Sequence, residues 1–344
     1  MSGGVDSSVA ASLLLEEGYA VEGVSLLLWE EQGPLEKNCS NHTGAAEVAE
    51  SLGIRHSTLD MRSEFRGSVV ESFARHYANG LTPNPCVACN RSFKLGALLQ
   101  WAKRRGIDYV ATGHYARIGR EPASGRLHLE RGLDRQKDQS YFLFDLSQEQ
   151  LNSTLFPLGR WRKTQVREKA RERGLPAAER PESQDICFTD HRDLVASLSR
   201  QGRLSPGLIV DRSGKILGRH PGLHHFTIGQ RKGLGLSSPA PLYVVDIDRR
   251  DNRVIVGHKD EVGSRGLIAR GVSWQIMPES EKLEAEVQVR YRSVPLLSAI
   301  HALGHGRHEV RFADSTAVVA PGQAVVFYRG DRVLGGGWIE SAIR

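Results

Sequence analysis

Ser2-Gly3-Gly4-Val5-Asp6-Ser7-Ser8 opens directly into an apolar helical stripe, Val9, Ala10, Leu13 and Leu14, that ends near Gly18. Adjacent glycines let a backbone approach a phosphate closely. Ser7 and Ser8 add hydroxyl donors, and a helix N-terminus adds unbonded amides and the positive end of the helix dipole. The stretch therefore reads as a phosphate site at a loop-to-helix junction, the signature of an α/β nucleotide fold. It matches neither the Walker A pattern nor the Rossmann glycine pattern. The plainer reading of Asp6 is a helix cap.

Outward from this loop, strand and helix patterns alternate up to about Arg200. Ala20–Trp29 is a short apolar run of the kind a buried parallel strand needs. Ala45–Leu52 is helical and stops at Gly53, and Ser63 caps a helix carrying Phe65, Val69, Phe73 and Tyr77. Arg91–Arg105 reads as a further helix, followed by a strand at Tyr109–Thr112. Such alternation predicts a parallel sheet with helical crossovers. After about Gly202 the pattern is β. Asp211–Lys215, Arg249–Asn252 and Arg329–Asp331 read as hairpin turns, Val287, Val289 and Tyr291 alternate with polar neighbours, and Ala317–Ala320 and Ala324–Tyr328 look like paired strands. The expected organisation is an α/β phosphate-loop domain over 1–200, a small central β-rich domain over 201–260 and a C-terminal β-barrel over 261–344. The last boundary is expected near Gly257–Arg265.

The 344 residues fit two or three domains, and 40% apolar with 25% charged residues excludes a disordered chain. No apolar run approaches the roughly 18 residues of a membrane-spanning helix, and no secretory leader pattern precedes the loop. Four cysteines (Cys39, Cys86, Cys89, Cys187) are too few for a disulfide framework at this length, so a cytoplasmic setting is expected. The excess of 46 Lys+Arg over 40 Asp+Glu permits a polyanionic partner without demanding one. Thr82-Pro83-Asn84-Pro85-Cys86-Val87-Ala88-Cys89-Asn90 reads as a Pro-rich loop just before a helix, which favours Cys89 as a nucleophile over a buried small hydrophobe. Cys187, in Glu182-Ser183-Gln184-Asp185-Ile186-Cys187-Phe188, would read alone as a core residue, and Cys39 carries no role.

The SGGxDS loop resembles the PP-loop of the ATP pyrophosphatase superfamily. The wider chain resembles the bacterial tRNA-specific 2-thiouridylases over essentially its whole length. The matching segments are Ser2–Ser8, Thr82–Asn90, Ala111–Arg117, Gly132–Asp134, Lys137–Phe142, Ser183–Phe188, Thr227–Gly235, Arg290–Arg292, Pro321–Gln323 and Gly335–Gly337. The resemblance implies that ATP, with Mg2+, adenylates the 2-oxygen of a wobble uridine. It implies that Cys187 carries a persulfide sulfur from a cysteine desulfurase or sulfur-relay protein, that this sulfur displaces AMP, and that Cys89 completes the exchange. Adenylation turns a poor oxygen leaving group into a good one, and a persulfide is a strong nucleophile near neutral pH. By the same resemblance Ser2, Gly3, Gly4, Val5, Asp6, Ser7, Ser8, Leu26 and Gly113 bind ATP, and Asn84, Pro85 and Cys86 line the target-base pocket. His114, Lys137, Asp138, Gln139, Arg290, Tyr291 and Gln323 would contact the tRNA anticodon stem-loop, whose target base must be splayed out.

Two departures from the family pattern stand out. Family members carry a short apolar strand before the loop, whereas this chain opens at the loop, so Met1 is expected to be an internal methionine of a longer reading frame. Position 86 is Cys where the family has Asp. Cys86, Cys89 and Cys187 could then hold a [4Fe–4S] cluster with one open iron, an alternative to the persulfide relay that remains open here. Other PP-loop adenylating enzymes and a non-catalytic RNA-binding protein are the remaining readings. Neither of these needs paired cysteines.

Overall fold

A computed structural model describes residues 1–29, 42–181, 188, 205–313 and 316–344. It divides into two units: Met1–Val70, Pro85–Thr189 and Asp331–Val333, and Glu71–Asn84, Asp190–Gly330 and Leu334–Arg344.

The first unit begins with α1 (Val5–Glu16), β1 (Glu22–Leu27), α2 (His42–Ser51), β2 (Arg55–Asp60) and α3 (Arg62–Phe65), the last running into a π-helical turn at Arg66–Val70. α4 (Glu71–Ala78) belongs to the second unit. A helix then starts at α5 (Pro85–Cys89), continues as a π-helical stretch (Asn90–Ala97) and ends as α6 (Leu98–Arg104). The sequence pattern starts this helix at Arg91; it starts six residues earlier because proline suits the first helical position, where its missing N–H is not needed. β3 (Val110–Ala111), the β4 (Ala116–Arg120) and β5 (Leu127–Arg131) hairpin, α7 (Gln148–Asn152), β6 (Thr154–Leu155) and α8 (Lys163–Glu172) complete the unit. Its parallel strands form two pairs, β1 with β2 and β3 with β6. Met1 lies along β1: its amino group donates to Val24 O, and Ser25 Oγ donates to Met1 O at 2.7 Å. α1 is buried on most sides, where Val5, Val9, Ala10 and Leu13 pack with Tyr115, Leu158, Val166, Ala170 and Leu175.

In the second unit, β7 (Gly207–Val210), β8 (Ile216–His220), β9 (Tyr243–Asp248) and β10 (Arg253–Gly257) form one sheet in the order β8-β7-β10-β9. The turns expected at Asp211–Lys215 and Arg249–Asn252 join antiparallel pairs. Asn252 supplies the left-handed φ of 51° at its turn, a conformation Asn tolerates better than most residues. Ile209, Leu223, Phe226, Val244, Val254 and Val256 make the core of this small domain.

β11 (Gly266–Trp274), β12 (Lys282–Gln288), β13 (Leu296–Gly304), β14 (Arg307–Phe312), β15 (Ala324–Arg329) and β16 (Arg332–Ile343) run in the order β11-β14-β13-β12-β15-β16, and β16 pairs back onto β11. The sheet is therefore a closed six-stranded barrel without edges. The expected pairing of Ala317–Ala320 with Ala324–Tyr328 does not form. Ala317 instead bridges Ser264, and β15 lies between β12 and β16. Tyr291 falls outside β12 because the chain turns there, with Arg292 at φ 63°.

Candidate active site

The phosphate loop is tied to the first turn of its own helix. Gly3 sits at φ +72°, where glycine avoids the penalty of a Cβ. Gly4 is the extended N-cap of α1, and its carbonyl accepts Ser7 Oγ at 3.1 Å and Ser8 Oγ at 2.9 Å. Ser2 N donates to Ser7 Oγ at 3.2 Å. No side-chain cap bond is made to α1, so its first-turn amides suit an anionic ligand. Gly113 crosses this turn closely. A Cβ there would lie 2.7 Å from Asp6 C and 2.8 Å from Ser7 N, so only glycine fits. Leu26 is a buried β1 residue paired with Leu59.

Asp6 has partners that its sequence neighbourhood does not announce. Its Oδ1 accepts Lys163 Nζ at 2.6 Å and the Tyr115 hydroxyl at 2.8 Å. Tyr115 is buried, and Lys163 Nζ lies 5.8 Å from the centre of its ring. The Lys163 backbone amide donates to Asp134 Oδ2 at 2.9 Å, which fixes the start of α8. Arg180 adds a second cation: it donates to Gly3 O at 2.8 Å and to Glu47 at 2.6 Å. Neither Lys163 nor Arg180 stands in a recognisable motif, and Tyr115 was visible only as part of the Ala111–Arg117 segment. A carboxylate at the helix head, one buried cation and one half-buried cation form a surround suited to a polyphosphate and its counter-ion.

On the cysteine helix, Pro85 is buried, Cys86 is half-buried in the first turn, and Cys89 is 7% exposed at the end of α5. Both are thiols. The helix dipole acts mainly within the first turn, so that part of the sequence argument for Cys89 applies more strongly to Cys86. Cys187 lies outside the described residues. Its neighbour Phe188 is buried with its ring 5.5 Å from Phe65, and Phe65 meets Phe93, four residues beyond Cys89, at 5.3 Å. An aromatic chain thus joins the residue after Cys187 to the helix that carries Cys86 and Cys89. Among the described residues no group of three His, Cys, Asp or Glu side chains could hold a metal ion.

His114 is buried against Phe156, with Nδ1 2.8 Å from Thr112 Oγ1. Burial, reinforced by the charge of Lys94, pushes its pKa down to about 3. The imidazole is therefore neutral at physiological pH. Asp138 is buried and fully engaged by its own loop, accepting Gly132 N, Ser140 N, Ser140 Oγ and Arg131 Nη1 at 3.0–3.1 Å. Gln139 braces Tyr115, accepting its amide at 3.0 Å. Lys137 is half-buried beside them.

Asn84, Arg290, Tyr291 and Gln323 belong to the second unit. Asn84 is buried. Gln323 Nε2 donates to Thr82 O at 3.0 Å, and Thr82 N donates to Pro321 O at 2.9 Å. Gly322, at φ +94°, lies so close to Leu81 and Thr82 that a Cβ would approach both to 3.0 Å. Arg290 is exposed, and the Arg292 guanidinium stands 5.2 Å over the Tyr291 ring.

A glycine–serine loop at a helix N-terminus, crossed closely by Gly113 and accompanied in the same α/β unit by a helix with two thiols, is the arrangement of a class of proteins suited to a nucleotide phosphate and to thiol chemistry. Comparison with known proteins gives the particular family. Residues 1–191 match the family described as tRNA methyl transferase HUP domain, 196–258 its PRC-barrel domain, and 264–339 an aminomethyltransferase beta-barrel domain. A tRNA-specific 2-thiouridylase MnmA from Geotalea uraniireducens (strain Rf4) is 47% identical over 354 aligned positions, covering 100% of this chain and 94% of its own. Proteins of the same name from Geobacter metallireducens and a Picosynechococcus species are also 47% identical, covering 96% and 97% of their own lengths. The chain belongs to the MnmA family of tRNA-specific 2-thiouridylases.

Proposed function

We propose that this chain catalyses the ATP-dependent 2-thiolation of the wobble uridine of tRNA. The uridine 2-oxygen attacks the α-phosphorus of ATP and pyrophosphate leaves. The terminal sulfur of a Cys187 persulfide then attacks C2 and AMP leaves. The Cys89 thiolate attacks the Cys187 sulfur, releasing 2-thiouridine and leaving a Cys89–Cys187 disulfide that an external thiol reduces. Cys89 and Cys187 are thus the catalytic pair, with the persulfide delivered by a cysteine desulfurase or relay protein.

The observation that carries this reading is the close packing of Gly113 on the Asp6–Ser7 turn, in the same unit as the Cys86–Cys89 helix. Ser2–Ser8 and Gly113 would cradle the phosphates, with Leu26 along the adenine. A divalent ion beside Asp6 would neutralise the departing pyrophosphate, and Lys163 and Arg180 supply fixed positive charge to the same end. Asn84, Pro85 and Cys86 would receive the flipped base. Lys137, Arg290 and Tyr291 would hold backbone and base faces. His114, Asp138, Gln139 and Gln323, engaged inside the protein, would shape the surfaces that meet the anticodon stem-loop. We assign the phosphate-loop domain to 1–200, the central domain to 201–260 and the barrel to 261–344. No described helix is long and apolar enough to cross a membrane, and a tRNA substrate would place the chain in the cytoplasm.

The test is tRNA-dependent pyrophosphate release together with mass analysis of the product nucleosides, which separates sulfur-for-oxygen exchange from methyl addition. Cys89→Ser and Cys187→Ser should each abolish thiolation while leaving ATP binding intact. Cys86→Asp discriminates the two sulfur routes. It retains activity if Cys86 only neighbours the base, and it loses iron and activity together if Cys86, Cys89 and Cys187 ligate a [4Fe–4S] cluster. Pyrophosphate release that ignores tRNA would overturn the proposal.

A further inference from the structure

The cysteine helix changes its winding directly after Cys89. α5 is α-helical, Asn90–Ala97 is π-helical, and α6 is α-helical again. In the π stretch the backbone reaches five residues back instead of four; the Leu98 amide bonds Phe93 O. One extra residue in a helix rotates everything before it by about 100° relative to everything after it. π turns are rare and tend to mark functional sites, and this one has two supports outside the helical ladder. At Gly96 a Cβ would lie 2.5 Å from Arg91 O, so the carbonyl occupies space that any other residue would need. Gln150, on α7, donates its Nε2 to that same Arg91 O at 2.6 Å and to Leu95 O at 2.8 Å. Its Oε1 accepts Ser147 N at 2.9 Å in the capping box of α7, so the amide is held in place. The other end of the stretch is anchored by Asn90 Nδ2, which donates to Phe142 O at 3.1 Å.

We propose that Gln150 and Gly96 are positioning residues for the two thiols: they hold the π stretch that sets the rotation of α5, and so the direction in which Cys86 and Cys89 face. Without them, residues 90–97 relax to ordinary α winding and α5 turns about its axis while α6 stays packed through Leu99 and Ala102. The inference rests on the thiolation reading of Cys89 and adds to it two residues that touch neither thiol's substrate.

Two variants approach the π stretch from opposite sides. Gln150→Glu keeps the acceptor for the Ser147 amide but removes both donors; Gly96→Ala leaves the α7 cap intact and displaces the Arg91 carbonyl. In the full chain each should slow single-turnover thiolation on the order of 100-fold, the cost of an ångström-scale misplacement. ATP affinity, which depends on the separate Ser2–Ser8 loop, should stay near the wild-type value. The ratio of Cys86 to Cys89 alkylation by iodoacetamide should shift by about tenfold, because thiol reactivity follows exposure. Wild-type thiolation with an unchanged alkylation ratio in both variants overturns the proposal, and so does a loss of ATP affinity equal to the loss of thiolation, which signals general damage. If the wild-type chain itself released no pyrophosphate with ATP and tRNA, the functional reading would fall, while a shifted alkylation ratio in Gly96→Ala would still uphold the role of the π stretch.

Discussion

Replacing Lys163 by Met asks whether the phosphate loop is held by charge. Lys163 Nζ stands 2.6 Å from Asp6 Oδ1, with the lysine side chain 10% and the aspartate 34% exposed. At an effective dielectric of about 20 the gross attraction is roughly 6 kcal/mol, most of it offset by the desolvation of a buried ammonium. Removing only the cation leaves Asp6 with the Tyr115 hydroxyl and with water on its exposed third. The loss should therefore fall below the 3–5 kcal/mol of a fully buried pair, at about 1–3 kcal/mol. Methionine keeps an unbranched stem of similar reach, so packing against Tyr115 is largely preserved. Asp6→Asn keeps an acceptor for Tyr115 without the charge, and the two changes close a double-mutant cycle with an expected coupling of about 1–2 kcal/mol. Hydrogen exchange at the α1 amides is the right assay, because it reads local opening without assuming that the whole chain unfolds in one step. ATP affinity, measured by calorimetry, should fall with Lys163→Met because the uncompensated Asp6 carboxylate then repels the polyphosphate. Additive single effects, with coupling under about 0.5 kcal/mol, would show that the ion pair contributes nothing to the loop.

Gly113→Ala places a Cβ against the Asp6 and Ser7 backbone; it should cost about 1–3 kcal/mol of local stability and weaken ATP binding, and calorimetry showing unchanged affinity would contradict the close-approach argument. His114 has a folded pKa of about 3, below its unfolded value near 6.5, so the unfolded chain binds a proton that the folded chain refuses. Its contribution is full above pH 6.5 and is lost as pH falls toward 3, by about 1.4 kcal/mol per pH unit. Between pH 6.5 and 5, His114→Gln should thus lose about 2 kcal/mol less stability than the wild type in matched unfolding or exchange measurements, and equal acid losses would refute the buried neutral imidazole.

What could be read from the sequence was what is local in the chain. The Ser2–Ser8 loop, the strand after Gly18 and the turns at Asp211–Lys215 and Arg249–Asn252 each depend on a few consecutive residues, and each appears where the pattern put it. The interactions that set the site span long stretches of chain: Lys163 reaches Asp6 across 157 positions and Gln323 reaches Thr82 across 241. No periodicity encodes such pairs, because their partners are chosen by the packing of whole elements. Ala317 shows the same limit among strands: the apolar run Ala317–Ala320 says that the segment is buried but not which neighbour it meets, and in the fold Ala317 bridges Ser264. The π stretch is the sharpest case. Residues 90–97 continue an apolar helical pattern, and the changed winding shows only in space, in the Leu98 amide that reaches back to Phe93 O and the Arg91 carbonyl held from outside by Gln150. A CxxC spacing therefore identifies the thiols, but their direction is decided at Gln150, 59 positions beyond Arg91, by an amide that belongs to another helix's cap.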